Sequence, residues 1–311
     1  MDGRTSVGMA AFGNSSTTRK ALEYLAASIH GDYELLLVDN GSPDDTLELF
    51  LETRRAHKNT KIFSFPENIE YCGAANTILS HAKGDFVFFL SNDVLVTPTY
   101  FGELIACLSG DASYAIARGC SNSVDGGLQP QNLLNGQVKF ESMVESFKFA
   151  EALPEIFAKR VPVDDHFLTG DAFAVSRQTI DRIGGFDTRF VGYFGDSDYW
   201  IRCRGSGLRS VVTITAFAYH EAQANYNYLD PEAKSEKYRS RFQRVHAAYR
   251  EFQKKYSIDG HPSLNLGTQD ETTSLDLRLF QTALHLAENK IRADSKYVHV
   301  PLRDYSQFLV P

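Results

Sequence analysis

Short apolar runs alternate with amphipathic helical patterns along the first third of the sequence. Strands are predicted at the short apolar runs, residues 7–12, 33–38, 61–65 and 85–90. Helices are predicted between them, at residues 15–28, from Ser42 onward and at 73–82. Ser15 or Ser16 is expected to cap the first helix, and Ser42 the second, with Pro43 at its first position. This alternation predicts an α/β fold with a mostly parallel sheet flanked by helices.

The segments that follow these strands are the first place to expect a binding site. Ligands of parallel α/β sheets bind beyond the carboxyl ends of the strands. The segments are residues 11–14, 39–42, 66–68 and 91–93. Three of the four carry Asp or Asn at the strand exit. Polar loops are ordinary by themselves, but their repetition at one edge of one sheet predicts a polar site there.

The pattern weakens after residue 110 and resumes near residue 165. Residues 119–136 are rich in Ser, Asn and Gly and predict a long loop, which in a compact domain is usually functional or mobile. Further elements are predicted as strands at 167–175 and 211–219 and a short helix capped by Ser176.

Two apolar stripes at helical spacing characterise the C-terminal part. The first runs from Tyr238 to Tyr256 at spacings of 4, 3, 4, 3 and 4, and the second joins Leu277 to Ile291. Residues 232–255 contain eight Lys or Arg and three Glu. This basic helix either presents a solvated face while its stripe packs on the rest of the chain, or rests on an anionic membrane surface. The paired stripes would equally suit a homodimer contact.

Composition excludes several classes of protein. The chain has 311 residues, 43% apolar and 23% charged, which is typical of a folded globular protein. Its net charge of −7 argues against a nucleic-acid partner. The four cysteines form no C-x-x-C pair and are expected to be reduced thiols of a cytosolic protein. No apolar run approaches the roughly 18–20 residues of a membrane span, and no signal core follows Asp2 and Arg4.

Two acids at strand exits are candidates for nucleotide chemistry. Asp39 follows the second strand, where a carboxylate can accept hydrogen bonds from the ribose or base of a nucleotide. Asp93 follows the fourth strand, where it can coordinate a divalent cation that bridges diphosphate oxygens. Both positions are also compatible with ordinary turns.

A third candidate is the pair Asp196 and Asp198, which lies among Tyr193, Phe194 and Trp200. Partial desolvation by such neighbours raises a carboxyl pKa and suits a general base. Surface acids beside an aromatic core are the alternative interpretation. His220 ends a strand and is either a metal ligand or a packed histidine.

In their order along the chain, these motifs resemble the family-two glycosyltransferases, which have the GT-A fold, a Rossmann-like sheet flanked by helices. The resemblance covers roughly residues 5–225 and points to the bacterial rhamnosyltransferase-like branch, which builds surface polysaccharides. The matching segments are residues 35–42, the N-x(4)-G-x-x-N stretch from Asn68 to Asn76, residues 88–93 for the D-x-D motif, residues 168–173 with 184–187, and Asp196-Ser197-Asp198 with Arg202. One such match is weak evidence for the family, but five matches in the correct order are specific.

The resemblance implies an inverting sugar transfer from a UDP- or dTDP-sugar to a hydroxyl of a glycan or lipid-linked acceptor. It makes Asp196 the catalytic base and Asp93 with His220 the ligands of Mn²⁺ or Mg²⁺, with Mn²⁺ favoured by a histidine ligand. It makes residues 119–136 a candidate lid. The residues implied to bind substrate are Ala11, Phe12, Asp39, Asn68, Gly73, Asn76, Asn92, Thr169, Gly170, Asp171, Asp198 and Arg202.

Two positions depart from the family pattern. Ser91 stands where the first acid of the D-x-D is expected, and Gly195 where a Glu precedes the base. Both departures would also fit a non-catalytic protein that binds nucleotide sugars or serves as a scaffold. A sugar nucleotidyltransferase is a third hypothesis and ranks last, because residues 11–16 lack a Gly-rich loop with a basic residue.

The sequence thus predicts a GT-A catalytic domain at residues 1–225, with a nucleotide-binding half at 1–110 and an acceptor-side half at 111–225. A helical C-terminal extension is predicted at 226–311. The expected location is the cytoplasm, with peripheral contact at the inner face of the membrane through residues 234–255.

Overall fold

A computed structural model describes residues 4–124, 131, 133–134, 139–157, 162–221, 230–264 and 270–311. Within these ranges the strands are β1 (Thr5–Ala11), β2 (Tyr33–Asp39), β3 (Thr60–Ser64), β4 (Phe86–Ser91), β5 (Val94–Val96), β6 (Tyr114–Ser121), β7 (Val163–Asp164), β8 (Ala172–Ser176) and β9 (Arg209–His220). The α-helices are α1 (Ser15–Ser28), α2 (Thr46–Ala56), α3 (Glu70–His81), α4 (Pro98–Gly110), α5 (Met143–Ile156), α6 (Arg177–Ile183), α7 (Gly195–Gly205), α8 (Pro231–Tyr256) and α9 (Leu277–Ala293).

The strands form one mixed sheet in the order β3-β2-β1-β4-β8-β6-β9-β5, with β7 paired to β9. Strands β3, β2, β1 and β4 are parallel, as the helix–strand alternation predicted. Strand β8 lies antiparallel between β4 and β6, while β9 is parallel to β6. Strands β5 and β7 run antiparallel to β9. The predicted α/β architecture with a mostly parallel sheet is confirmed.

Several predicted helix boundaries differ from the structure. Helix α1 begins at Ser15 after Asn14, whose left-handed φ of 60° makes the turn, so neither serine is its cap. Helix α2 begins at Thr46, three residues later than the motif suggested. The Ser42 hydroxyl accepts a hydrogen bond from the Gly13 N–H instead of capping a helix. It therefore joins the loops that follow β1 and β2.

The middle of the chain holds the elements that periodicity did not predict, namely α4, β6 and α5. The strand expected at 167–175 begins only at Ala172, because residues before it form a turn that lines the site described below. Ser176 caps α6 as predicted, since its hydroxyl accepts the Thr179 N–H. The loop predicted at 119–136 begins with the last residues of β6, Gly119–Ser121, and half of it, residues 125–130, 132 and 135–136, lies outside the described residues.

The C-terminal helices pack on the face of the sheet that α3, α6 and α7 cover. Tyr249, Phe252 and Tyr256 of α8 and Leu284 of α9 are buried in one cluster with Phe186. The buried positions of the two predicted stripes are therefore used within the chain, while Leu277 stays 47% exposed. The homodimer contact stays a prediction.

The basic face of α8 is largely paired with acids. Its ion pairs include Arg239–Glu236, Arg244–Glu70, Arg250–Glu271 and Lys254–Glu251. This pairing favours the solvated-face interpretation of the basic segment. In the described ranges, no helix has both the length and the apolar content needed to cross a bilayer.

Candidate active site

A cavity of about 440 Å³ opens where β4 and β9 end and α7 begins. Its wall brings together six of the predicted site residues, Asp93, Thr169, Gly170, Asp171, Asp196 and His220. Residues distant in sequence meet here because β4, β8 and β9 deliver them to neighbouring positions of one sheet. The predicted metal ligands and the predicted base thus share one cavity.

Asp93 and His220 are neighbours because of strand pairing. In the β5–β9 register Val94 lies opposite His220, and the Glu221 N–H donates to the Asp93 carbonyl at 2.9 Å. The His220 Nε2 lies 3.4 Å from the Asp93 Oδ2. Both side chains are partly exposed to the cavity, at 11% and 29%. The two candidate ligands therefore face each other at its wall.

The other ring nitrogen of His220 is held from behind. Nδ1 lies 3.0 Å from the Ser123 carbonyl, an arrangement in which Nδ1–H donates and Nε2 is left for the cavity. The Asn122 side chain hydrogen-bonds the His220 backbone N–H and carbonyl at 2.7 and 3.1 Å. Burial alone would lower the pKa of His220, but its hydrogen bond to Asp93 and the charges of Asp93 and Asp171 raise that pKa to about 9. A cation that binds at Nε2 would therefore displace the proton that this nitrogen shares with Asp93.

Asp93 and His220 fit a metal ion only if a bound substrate supplies further atoms to coordinate it. Within the part of the chain that the structure describes, no three His, Cys, Asp or Glu side chains converge as a metal site. Mg²⁺-type sites that act on nucleotides use one or two protein ligands together with substrate phosphates. Asp93 Oδ2 and His220 Nε2 supply that small set.

Asp196 lies in the first turn of α7, which Phe194 initiates with a left-handed φ of 68°. Its Oδ2 accepts the Gly170 N–H at 3.0 Å, and its Oδ1 accepts the Ser197 N–H at 2.8 Å. Desolvation raises the pKa of Asp196 to about 6 against these two hydrogen bonds, with a further rise from the charge of Asp171. A carboxyl group with this pKa is ionised at neutral pH and remains basic enough to accept a proton.

Asp171 is fixed by a buried arginine that the sequence analysis did not single out. Arg118 of β6 is only 1% exposed and binds both Asp171 oxygens, at 3.0 and 3.2 Å. Its guanidinium also donates to the Thr169 carbonyl at 3.1 Å. A cation within the apolar run of residues 114–120 was the available signal, because a buried charge requires a partner.

Asp198 and Arg202 lie in the core and not at the cavity, which corrects their assignment to the substrate side. Both side chains are fully buried and paired at 2.8 Å. Tyr256 and Lys255 of α8 also donate to Asp198, and Lys255 bridges to Asp187 at 2.9 Å. These partners hold the pKa of Asp198 below its usual range despite burial. The pair therefore attaches α7 to α8.

Asn76 and Gly73 of α3 also lie inside the protein. The Asn76 amide donates to the Phe186 carbonyl at 2.9 Å and accepts the Phe186 N–H at 2.7 Å. A Cβ at Gly73 would lie only 3.0 Å from Ile69. These residues position the segment that precedes α7, and neither lines the cavity.

The predicted nucleotide-binding residues form a separate group at the ends of β1, β2 and β3. Asp39 accepts hydrogen bonds from the Ser42 N–H and the Ser64 hydroxyl, both at 2.9 Å. The Asn40 amide donates to Asn68 at 3.0 Å. Phe12 is 54% exposed at this edge and follows the buried Ala11.

Asn92 joins this group to the cavity. Its amide donates to the Gly13 carbonyl at 3.2 Å and to the Thr18 hydroxyl at 2.8 Å. Its neighbours Ser91 and Asp93 line the cavity. The predicted nucleotide-binding edge and the cavity are thereby adjacent along the ends of β1 and β4.

The cavity wall also includes residues that the sequence analysis did not single out for it, among them Tyr71 of α3 and Arg241 of α8. Tyr71 was hidden within a helical pattern, and Arg241 within the basic segment. The role of Arg241 in the cavity wall becomes visible only when the position of α8 beside the cavity is known.

Comparison with known proteins shows where the chain has relatives. Residues 6–184 match the family model described as glycosyl transferase family 2. The "O-antigen biosynthesis protein RfbC" of Myxococcus xanthus is 26% identical over 222 residues, which cover 67% of this chain and 16% of that protein. The uncharacterized protein y4gI of Sinorhizobium fredii is 22% identical over 226 residues, which cover 69% of this chain and 24% of that protein. The chain thus spans a quarter or less of these relatives' lengths.

Two solved glycosyltransferases share the GT-A fold. A mannosyltransferase from Pyrobaculum calidifontis, solved with GDP-Man and Mn²⁺, superposes with a TM-score of 0.56 at 16% identity, covering 96% of this chain and 72% of its own. GalNAc-T7, solved with UDP, GalNAc and Mn²⁺, gives a TM-score of 0.51 at 16% identity, covering 70% of this chain and 43% of its own. At this identity the likeness establishes the fold alone.

Proposed function

The chain belongs to glycosyl transferase family 2, and we propose that it transfers a sugar with inversion from a UDP- or dTDP-sugar to a hydroxyl of a glycan or lipid-linked acceptor. The observation that carries the proposal is that Asp196 shares one cavity with Asp93 and His220. A relative named for O-antigen biosynthesis supports a role in bacterial surface polysaccharide synthesis.

In the proposed reaction, Asp196 accepts the proton of the acceptor hydroxyl. The hydroxyl oxygen attacks the anomeric carbon from the face opposite the diphosphate, a new C–O bond forms, and the nucleoside diphosphate leaves with the electron pair of the broken bond. The Gly170 and Ser197 N–H groups hold the carboxylate in place throughout. Proton transfer to a base that is positioned in this way contributes roughly 10²–10⁴-fold to the rate.

Asp93 and His220 would hold the divalent cation, and their mixed oxygen and nitrogen set favours Mn²⁺. When bound, such an ion offsets the negative charge that develops on the leaving diphosphate. The two structural neighbours were both solved with Mn²⁺, which supports the same ion here.

The nucleoside is proposed to lie along the edge formed by Ala11, Phe12 and Asp39. Asp39 uses its two oxygens for Ser42 and Ser64, but an ionised carboxylate offers about four acceptor sites. Two acceptor positions therefore remain for a ribose or base. The exposed Phe12 ring offers an apolar surface at the same edge.

The non-catalytic alternative rested on Gly195 and Ser91. The packing around Gly195 explains why glycine, and not glutamate, stands at this position. A Cβ at Gly195 would lie 2.2 Å from the Cys72 Sγ, so a glutamate does not fit at this position without displacing that residue. The base is held by backbone amides instead. The absence of the acid thus reflects local packing in a site that retains an oriented carboxylate.

Thermal-shift binding of UDP, dTDP, GDP and CDP, each with and without Mn²⁺, tests the proposal first. We expect UDP or dTDP to stabilise the protein, and Mn²⁺ to increase the shift; at 100 times its Kd a ligand adds about 2.7 kcal/mol. No shift with any nucleotide would contradict the assignments of Asp39 and Asp93 together. Transfer from the binding nucleotide's sugars to hydroxyl acceptors is then measured for wild type and D196N.

A further inference from the structure

Helix α8 belongs to the predicted C-terminal extension, yet it contributes a residue to the cavity. Arg241 lies in the cavity wall together with Tyr193, Gly192 and Asp196. Its Cζ is 6.0 Å from the centroid of the Tyr193 ring, and Tyr193 itself lines the cavity. The guanidinium is thus placed at the wall that carries the proposed base.

The side chains around Arg241 form an ordered arrangement, here called the Tyr193 stack: Arg241, Tyr193, Arg244 and Glu70. The Arg244 Cζ lies 5.9 Å from the same ring centroid, and its guanidinium is paired with Glu70 of α3 at 2.8 Å. Gly192 leaves room for Arg244, since a Cβ there would lie 2.5 Å from its Nη2. A guanidinium held against an aromatic ring loses less freedom when it binds a ligand.

Arg241 and His220 are the basic side chains among the described residues of the cavity wall, which also carries three carboxylates. Of the three carboxylates in the wall, Asp171 faces Arg118 at 3.0 Å and Asp93 faces His220 at 3.4 Å. Asp196 is held by backbone N–H groups. A nucleotide-sugar reaction brings several phosphate charges into this acidic wall, where the guanidinium of Arg241 would add its positive charge to that of the divalent cation. The planar fork of arginine binds phosphate oxygens two at a time.

We propose that Arg241 is a substrate-binding residue that contacts phosphate oxygens in the cavity, which makes α8 part of the active site. Which molecule carries the phosphate depends on the proposed function. The existence of an anion site at Arg241 does not depend on it. The phosphate belongs either to the nucleoside diphosphate of the donor or to a phosphate group carried by the acceptor. The two sources make the same contact and are separated by experiment.

The first experiment compares wild type with R241Q and R241K by calorimetry in Mg²⁺. The ligands are whichever of UDP, dTDP, GDP and CDP binds best, and its parent nucleoside. If Arg241 binds the donor diphosphate, R241Q weakens binding of the diphosphate roughly ten- to a hundredfold and leaves binding of the nucleoside unchanged. R241K keeps the positive charge but not the planar fork of arginine, so its affinity for the diphosphate is expected to lie between those of wild type and R241Q.

The second experiment titrates inorganic phosphate into protein already saturated with the nucleoside diphosphate and Mg²⁺. If the contact is made to an acceptor phosphate, the affinity for the diphosphate is unchanged in R241Q, while phosphate binding to the loaded protein is lost. Wild type without nucleotide is titrated with phosphate as well, so that the anion site is tested even if no nucleotide binds.

R239Q is the matched control, because Arg239 is on the same helix, is 57% exposed and lies outside the cavity wall. It removes the same charge from α8 and is expected to bind both ligands as wild type does. Equal losses in R239Q and R241Q would overturn the proposal in favour of a general charge effect. Unchanged binding in both titrations of R241Q would also overturn it. Failure of wild type to bind any nucleotide, with phosphate binding still lost in R241Q, would refute the proposed function alone.

Discussion

The Gly170 backbone N–H donates to the Asp196 Oδ2 at 3.0 Å, across 26 residues of sequence. This hydrogen bond joins the turn before β8 to the first turn of α7. It orients the carboxylate before any substrate is present, and burial around it raises the pKa of Asp196 to about 6. Orientation and basicity of the proposed base are therefore properties of the folded chain.

Replacement of Asp196 by Asn is expected to remove sugar transfer while nucleotide binding persists. Asn keeps the shape of Asp but accepts no proton, so kcat should fall roughly 10²–10⁴-fold. The measurement is turnover together with the Kd of the nucleoside diphosphate. Transfer at the wild-type rate in D196N would refute the assignment of the base.

The pH profile gives an independent test of the same residue. Asp196 must be ionised to act as a base, so kcat/KM should rise with pH through about 6 and level off above it. Because the folded-state pKa lies above the ordinary value, ionisation of Asp196 disfavours the folded state. Its contribution to stability is full below the unfolded-state pKa and is lost as the pH rises through about 6.

The corresponding control is the melting temperature of D196N across the same pH range. Relative to wild type, the variant should gain stability between pH 4 and pH 7, because only wild type acquires the buried charge in that interval. A difference in melting temperature that does not change with pH would show that the pKa of Asp196 is not raised.

The sequence sufficed to predict the parallel half of the sheet, because β1 to β4 alternate with helices in a simple apolar pattern. It did not predict α4, β6 and α5. Their apolar residues are distributed between the face of the sheet and a smaller cluster around Phe217, and no single period describes them. Helix α2 began late because its motif residues bind neighbouring loops, a contact made only in the folded protein.

Motif order identified which residues gather at the site, but not which way each side chain points. Asp196 and Asp198 were predicted together. They lie two positions apart on α7, which is about 200° around a helix, so one faces the cavity and the other the core. Arg241 was missed for a related reason. Its contribution depends on how α8 packs against Tyr193, and no local pattern encodes that contact.

Loss of His220 should weaken the metal-dependent part of nucleotide binding. In H220A the affinity for UDP with Mn²⁺ is expected to fall at least tenfold, while binding of uridine is unchanged, since even residues behind metal ligands typically cost 10–100-fold. N122A, which removes the support of the His220 backbone, should have a smaller effect of the same kind. Equal affinity for UDP with and without EDTA in wild type would argue against a metal at this position.

Arg118 is expected to be essential for stability because it neutralises Asp171 in a buried position. In R118M the carboxylate of Asp171, 11% exposed at the cavity wall, loses its partner, at a cost of up to about 3–5 kcal/mol in the free energy of unfolding. The double variant R118M/D171N removes both charges and should recover much of this loss. Denaturant unfolding of the three proteins measures it, and additive effects would show that the two residues act independently.

The last prediction concerns the close approach of Gly195 to Cys72. Because the Cβ of an alanine at position 195 would lie 2.2 Å from the Cys72 Sγ, G195A should destabilise the protein by about 1–3 kcal/mol. C72A removes the colliding sulfur, so C72A/G195A should be more stable than G195A alone. G102A is the control, since nothing lies within 4 Å of a Cβ there in the middle of α4, and it should stabilise by up to ~1 kcal/mol. If G195A were as stable as wild type, glycine at this position would no longer be explained by packing, and the missing acid before Asp196 would again favour a protein that binds without catalysing.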